Sequence, residues 1–356
     1  MIRTGQWRVL GMMSGSSLDG LDLCLATFAE TETGWTYALE SSETVVYPVF
    51  LQQKLATAHQ LSALSLMQLD AELGAFFSTA VADFLRGKQA PVLLSTHGHT
   101  IFHQPEGGFT TQIGGATRLA AEIRLPVVYD FRSADVGLGG QGAPLVPIGD
   151  ALLFSDYSAC LNLGGIANIS FENQNKRIAY DLGCCNMVLN TASQLLGHAY
   201  DASGKLARAG AILPELLALL RKLDFYQQAP PRSLGREHFE AQLQPSLFNG
   251  AYAPQDVLAT WCAHLGEIVG GELSKYQVDG RILVTGGGAY NDFLMEQLRK
   301  HSSATFHLPS AELIEQKEAL IFGFLGLLRY LRRPNVLSEV TGSSSNHCAG
   351  ALIELF

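Results

Sequence analysis

The sequence predicts an internally duplicated α/β protein of two domains with a cleft between its halves, and three observations carry that reading. At 356 residues with 47% hydrophobic content, the chain can bury more than one core. Strand and helix patterns alternate along it instead of falling into separate blocks. The plan also repeats, because each half opens with three strands joined by glycine-containing or polar turns.

In the first half, residues 9–12, 21–28 and 35–47 read as consecutive strands. A helix follows at 65–86, with Ser65 and Gln68 spaced as a capping box and Gly87 as its stop; Leu69, Leu73, Phe77, Val81 and Phe84 share one face. Residues 91–96 and 126–129 read as short buried strands. The second half gives strands at 160–163, 167–171 and 177–181, helices at 186–196 and 257–273, a strand at 282–285, and a helix from Asn291. The apolar segment 319–331 is too long for a strand and reads as a buried helix ending before Pro334. The loop 137–147, rich in glycine and proline, is the expected boundary, giving domains 1–136 and 137–356.

Composition excludes several function classes. A net charge of −9 and a pI near 5.6 disfavour nucleic acid or an anionic membrane as partner, since either asks for a basic face. The longest apolar run, 319–328, is half the roughly 20 residues a bilayer span needs, and no signal-like segment opens the chain. A soluble, cytoplasmic protein is expected. Six cysteines without a CxxC pair read as reduced thiols.

The chemistry-bearing stretches are glycine turns. GMMSGSSLDGLD (residues 11–22) interrupts a strand pair with glycines, serines and aspartates, and Gly164-Gly165 and Gly286–Gly288 interrupt later ones. Glycine lets backbone N–H groups converge and keeps side chains away from a phosphate. Each turn alone is equally an ordinary turn; three at matching places suit a nucleotide triphosphate. No GxxxxGK[ST] is present, which excludes a P-loop fold, and no GxGxxG opens a helix after the first strand.

GMMSGSSLDGLD, HGHTIFH, DFRSADV, GGQGAPLVP, LNLGGIANIS, YDLGCCNM, GREHF, VTGGGAYN and EALIFGF, in that order, closely resemble the anhydro-N-acetylmuramic acid kinases over nearly the whole chain. That resemblance implies the duplicated actin-like (ribonuclease H-like) fold. It also implies ATP with Mg²⁺, a usually homodimeric state, and phosphorylation of O6 of 1,6-anhydro-N-acetylmuramic acid with opening of its anhydro bridge. It assigns nucleotide contacts to Gly11, Ser14, Gly15, Ser16, Ser17, Leu18, Asp19, Gly20, Leu21 and Asp22, and to Gly164, Gly165, Asn168, Gly286, Gly287 and Gly288. A kinase for an ordinary sugar and a non-catalytic binding relative are the alternatives.

Asp181 ends an apolar strand ahead of a helix, where it can be a catalytic base or a helix cap; the resemblance favours the base. Glu318 opens an apolar helix, either for its dipole or, as the resemblance implies, toward substrate. Arg132 could meet a lactyl carboxylate or pair with Asp130 or Asp135. His97, His99 and His103 approach metal-ligand spacing without supporting carboxylates, so no metal site is expected; by resemblance His97 helps shape the sugar pocket. The chain departs from the family pattern at Cys184-Cys185, where Pro-Gly is usual. It also departs at His99, where glutamine is usual, at Phe102, where arginine is common, at Ser16, where threonine is usual, and at Leu234, where a hydroxylic residue is common.

Overall fold

The computed structural model describes residues 5–15, 18–230 and 232–356. The chain divides into two compact units, Met1–Leu153 with Gln316–Phe356, and Phe154–Glu315.

The first unit holds strands β1 (Gln6–Ser14), β2 (Gly20–Thr31), β3 (Gly34–Val46), β4 (Leu93–Gln104), β5 (Phe109–Ile113) and β6 (Val127–Tyr129). The second holds β7 (Ala159–Leu163), β8 (Ile166–Asn173), β9 (Lys176–Cys184), β10 (Arg281–Thr285) and β11 (Thr305–His307), and β12 (Ala351–Ile353) returns to the first. The first sheet runs β12-β6-β4-β1-β2-β3 with β5 on β4, and the second runs β11-β10-β7-β8-β9. In both, three antiparallel strands (β1-β2-β3 and β7-β8-β9) continue into two parallel ones, β4 and β6 or β10 and β11. The expected duplication is therefore present strand for strand.

The predicted first helix spans Ala63–Leu85 and buries Leu69, Leu73, Phe77, Val81 and Phe84 against the first sheet's core. Its cap is Ser62, whose Oγ accepts the Ser65 N–H, so the expected Ser65 box lies one turn too late. The apolar segment near 319 lies in the helix Ala311–Tyr330. That helix meets β1 where two glycines face each other: a Cβ on Gly11 would stand 1.9 Å from the Ala319 carbonyl oxygen, and one on Gly323 would stand 3.2 Å from the Gly11 Cα.

The expected boundary at 136/137 gives way to two crossings, at 153/154 and 315/316. Loop 137–147 is stapled into the first unit. Buried Asp135 accepts the Gly142 N–H at 2.7 Å and the Thr341 hydroxyl at 2.7 Å, and the Gln141 N–H donates to the Thr341 carbonyl at 2.8 Å. The C-terminal segment belongs there too, because β12 pairs with β6.

Candidate active site

In the first unit, β1 and β4 are parallel neighbours, and Ser14, where β1 ends, is in register with His99 inside β4. The glycine-serine stretch leaves the sheet at this point. Ser16 and Ser17 lie outside the described residues. Leu18 has a left-handed φ of 61°; its N–H donates to the Gly15 carbonyl at 3.3 Å, and its own carbonyl accepts from Gln52 Nε2 at 2.8 Å. Asp19 is exposed, while half-buried Asp22 accepts the Thr44 hydroxyl at 2.5 Å.

Four expected nucleotide residues are fixed by contacts within this unit. Gly11 is buried inside β1, where the approach of the helix backbone by itself requires glycine. Gly20 leaves no space for a Cβ beneath the Val45 carbonyl (2.6 Å), and the Leu21 side chain lies wholly in the core. Ser14 is 2% exposed with its Oγ already engaged by Tyr47 and His99, so it anchors the loop rather than offering a hydroxyl outward.

Farther along the same unit, His97 is buried and packs at a tilt against Phe322 with ring centroids 4.6 Å apart. Its Nδ1–H donates to the Gly98 carbonyl at 2.9 Å, and its Nε2 accepts from Arg132 Nε at 3.0 Å. Burial and the Arg132 charge hold His97 far below its ordinary pKa, so the ring is neutral with a fixed tautomer. Arg132 also donates to the Gly142 carbonyl at 2.6 Å, and its hydrogen bonds go to neither Asp130 nor Asp135 among the described residues. Burial brings its pKa down to about 10 against the opposing pull of Glu318 and Asp135. Glu318 keeps exposed surface although protein crowds it. Desolvation raises its pKa, Lys317 and Arg132 oppose that rise, and Asp22 and Asp150 add to it. A recess of about 420 Å³ opens beside His97, lined among others by Asp70, Thr96, Gln112, Arg118 and Asp130.

In the second unit, strand register assembles a polar rung: Thr285 on β10 pairs with Asn162 on β7, Asn162 with Asn168 on β8, and Asn168 with Asp181 on β9. Two glycine turns meet beside it. A Cβ on Gly286, whose φ is 81°, would stand 2.7 Å from Asn162 Oδ1, and one on Gly288 would stand 2.8 Å from the Leu163 Cβ. The Gly164 and Gly165 carbonyls accept the N–H groups of Asn186 and Cys185 at 3.0 and 2.8 Å, joining this hairpin to the helix Asn186–Leu195. Asp181 Oδ2 accepts the Leu234 N–H at 2.7 Å and the Ser233 hydroxyl at 3.4 Å. Desolvation nonetheless dominates and raises the carboxyl's pKa.

Cys184 and Cys185 are unpaired, buried thiols pushed up to about 11 and 12 by burial. They fill space as small hydrophobes, and the Cys184 carbonyl accepts Trp261 Nε1 at 2.9 Å, so the loop after Asp181 is anchored without the usual Pro-Gly. Asn162, Thr285, Ser233 and the Leu234 amide are site neighbours that sequence reading missed, because only register and a return of the chain from residue 233 bring them to Asp181.

A five-strand core of this order and polarity, present in both sheets with a glycine-containing hairpin in each, defines the duplicated actin-like fold class. The sequence profile of the anhydro-N-acetylmuramic acid kinases matches residues 7–354. The anhydro-N-acetylmuramic acid kinase of Aliivibrio fischeri is 33% identical, covering 97% of this chain and 98% of its own. That of Variovorax paradoxus is 34% identical, covering 96% and 98%. The chain belongs to the anhydro-N-acetylmuramic acid kinase family, and its activity is the ATP-dependent phosphorylation of that sugar in cell-wall recycling.

Proposed function

We propose that Asp181 is the general base of this kinase and that it acts on water. In an anhydro sugar O6 is an acetal oxygen and has no proton to give up, so the acceptor itself offers a base nothing to remove. Asp181 takes a proton from a water that attacks C1; the C1–O6 bond breaks; O6 receives the γ-phosphoryl group, and ADP leaves. The observation that carries this reading is the state of the Asp181 carboxyl. Its bonds from described residues fall on Oδ2, so Oδ1 can face a water, and desolvation raises its pKa and with it its basicity.

The other residues position and neutralise. The backbone from Gly15 to Asp22 receives phosphate, and the paired turns Gly164-Gly165 and Gly286–Gly288 receive the rest of the nucleotide, with Asn168 beside Asp181. His97 and Gly142 hold the Arg132 guanidinium for a planar anion, which the lactyl carboxylate of a muramic acid supplies. Glu318 lies on the sugar side with them, and the recess beside His97 gives the sugar room.

The described residues contain no group of three or more metal-ligating side chains. Asp19 and Asp22, the carboxylates of the phosphate-loop segment, would hold the waters of an Mg²⁺ carried on the nucleotide's phosphates; when bound, the ion offsets phosphate charge. The resemblance extends the reading to a homodimer working in the cytoplasm. No helix among the described residues is long and apolar enough to cross a membrane.

Asp181→Asn tests the assignment. It preserves size and the Oδ2 partners but removes the base, so turnover is expected to fall by about a hundredfold or more while ATP still binds in calorimetry. Turnover within tenfold of the parent enzyme rejects Asp181 as the base.

A further inference from the structure

Under the phosphate loop lies a buried chain of hydrogen bonds that the assigned chemistry does not use. Tyr47, 3% exposed, donates its hydroxyl to Ser14 Oγ at 2.6 Å, and Ser14 Oγ lies 2.8 Å from His99 Nδ1, with His99 itself 4% exposed. The three residues come from three neighbouring points. Ser14 ends β1, His99 is its register partner on β4, and Tyr47 directly follows β3. Burial raises the Tyr47 hydroxyl well above its ordinary pKa, so it remains a donor, and Phe76 packs against its ring at 5.2 Å.

Backbone pairing pins this position on one side only, where Ser14 is in antiparallel register with Leu21 on β2. The β1–β4 ladder shifts register between Met12 and Ser14, so the last residue before the loop sits just past an irregularity in its own strand. Side chains add the constraint on the other side: Ser14 Oγ is held by both Tyr47 and His99, and farther along the loop Gln52 holds the Leu18 carbonyl.

We propose that Tyr47 and His99 are positioning residues of the kinase reaction, which act through the Ser14 hydroxyl to fix the strand end that presents the phosphate loop to ATP. Neither residue touches the nucleotide. The pair determines where Gly15 and the backbone beyond it begin, and so how well the loop's amides match the phosphates. A single buried hydroxyl carries both contacts, so the two residues act as one device. This inference rests on the reading of residues 15–22 as the phosphate loop.

The test is a set of variants of the full chain, assayed for KM of ATP, KM of the anhydro sugar and kcat, with thermal unfolding as a control on folding. Tyr47→Phe and His99→Leu should each raise the KM for ATP about three- to tenfold, the worth of one buried hydrogen bond, and leave the sugar KM unchanged. His99→Gln, whose carboxamide can still meet Ser14, should restore a KM near the parent's. In a Ser14→Ala background, Tyr47→Phe and His99→Leu should add no further loss. An unchanged ATP KM in both single variants, equal losses for ATP and sugar, or full additivity with Ser14→Ala overturns the proposal. Gly15→Val separates the two readings. If it leaves ATP affinity intact, the loop assignment fails and this inference fails with it; if it abolishes ATP binding while the Tyr47 and His99 variants are silent, only the inference fails.

Discussion

The Nε–H of Arg132 points at Nε2 of His97 across 3.0 Å, and the opposite nitrogen of that ring donates to the Gly98 carbonyl at 2.9 Å. A neutral imidazole thus acts as the acceptor that orients a cation. The arrangement requires the low pKa that burial imposes on His97, since a protonated ring would repel the guanidinium instead of receiving its proton.

Arg132→Lys retains the charge but loses the planar fork and the Nε bond to His97. The expected result is a sugar KM raised about 10- to 100-fold with the KM for ATP unchanged, because charge-assisted bonds are about twice as strong as neutral ones. Steady-state kinetics with each substrate varied in turn check this.

The pH profile should report Asp181. Its carboxyl must be ionised to act as a base, and desolvation raises its pKa, so the acid limb of kcat should lie above the ordinary value of an aspartate. Ser233 donates to the ionised form and lowers the pKa. Ser233→Ala should therefore move the limb to still higher pH and cost activity on the acid side only. A limb that moves downward, or does not move, contradicts the assignment.

Lys317 and Asp150 form a buried ion pair, with Nζ 2.7 Å from Oδ1 and both side chains at most 5% exposed. The contact lies off the direction of a good hydrogen bond, so charge rather than alignment holds it. Lys317→Met removes a buried counter-charge of Asp150 and should destabilise the protein by about 3–5 kcal/mol, while the double variant Lys317→Met/Asp150→Leu should recover most of that loss. Denaturant unfolding of the three proteins measures both effects.

Gly11→Ala distinguishes a packing glycine from a nucleotide contact. Its Cβ would collide with the Ala319 carbonyl, at a cost of about 1–3 kcal/mol or more, and should lower the melting temperature while ATP affinity of the folded protein is kept. Loss of ATP affinity without loss of stability would return Gly11 to the nucleotide site.

Much of this was legible in the sequence because it depends on local periodicity. Strands β1 to β3 and β7 to β9 announce themselves through apolar residues bounded by turns, and the helix Pro254–Lys275 through its buried stripe. The three-residue strands β11 and β12 carry too little pattern to register, and β12 also returns to the first sheet from the far end of the chain, which no local signal records. Ser14 illustrates the same limit at the site. Its place beside glycines suggested a phosphate ligand, whereas the inward direction of its hydroxyl is set by Tyr47 and His99, 33 and 85 residues away. Asp181 was legible as an acid on an apolar strand, but β9 runs on to Cys184 and does not end at it; its rung partners Asn162 and Thr285 were not legible, because register is a property of the folded sheet.

The claim that Asp181 drives water onto C1 while O6 takes the phosphoryl group is tested most directly by running the reaction in oxygen-18 water. The product is read by mass spectrometry before the anomeric oxygen exchanges. The account predicts a 6-phosphorylated sugar labelled at the C1 hydroxyl, with no label in the phosphoryl group, because its bridging oxygen is the sugar's own O6. Label in the phosphoryl group, or an unlabelled C1 hydroxyl once exchange is controlled, would contradict it.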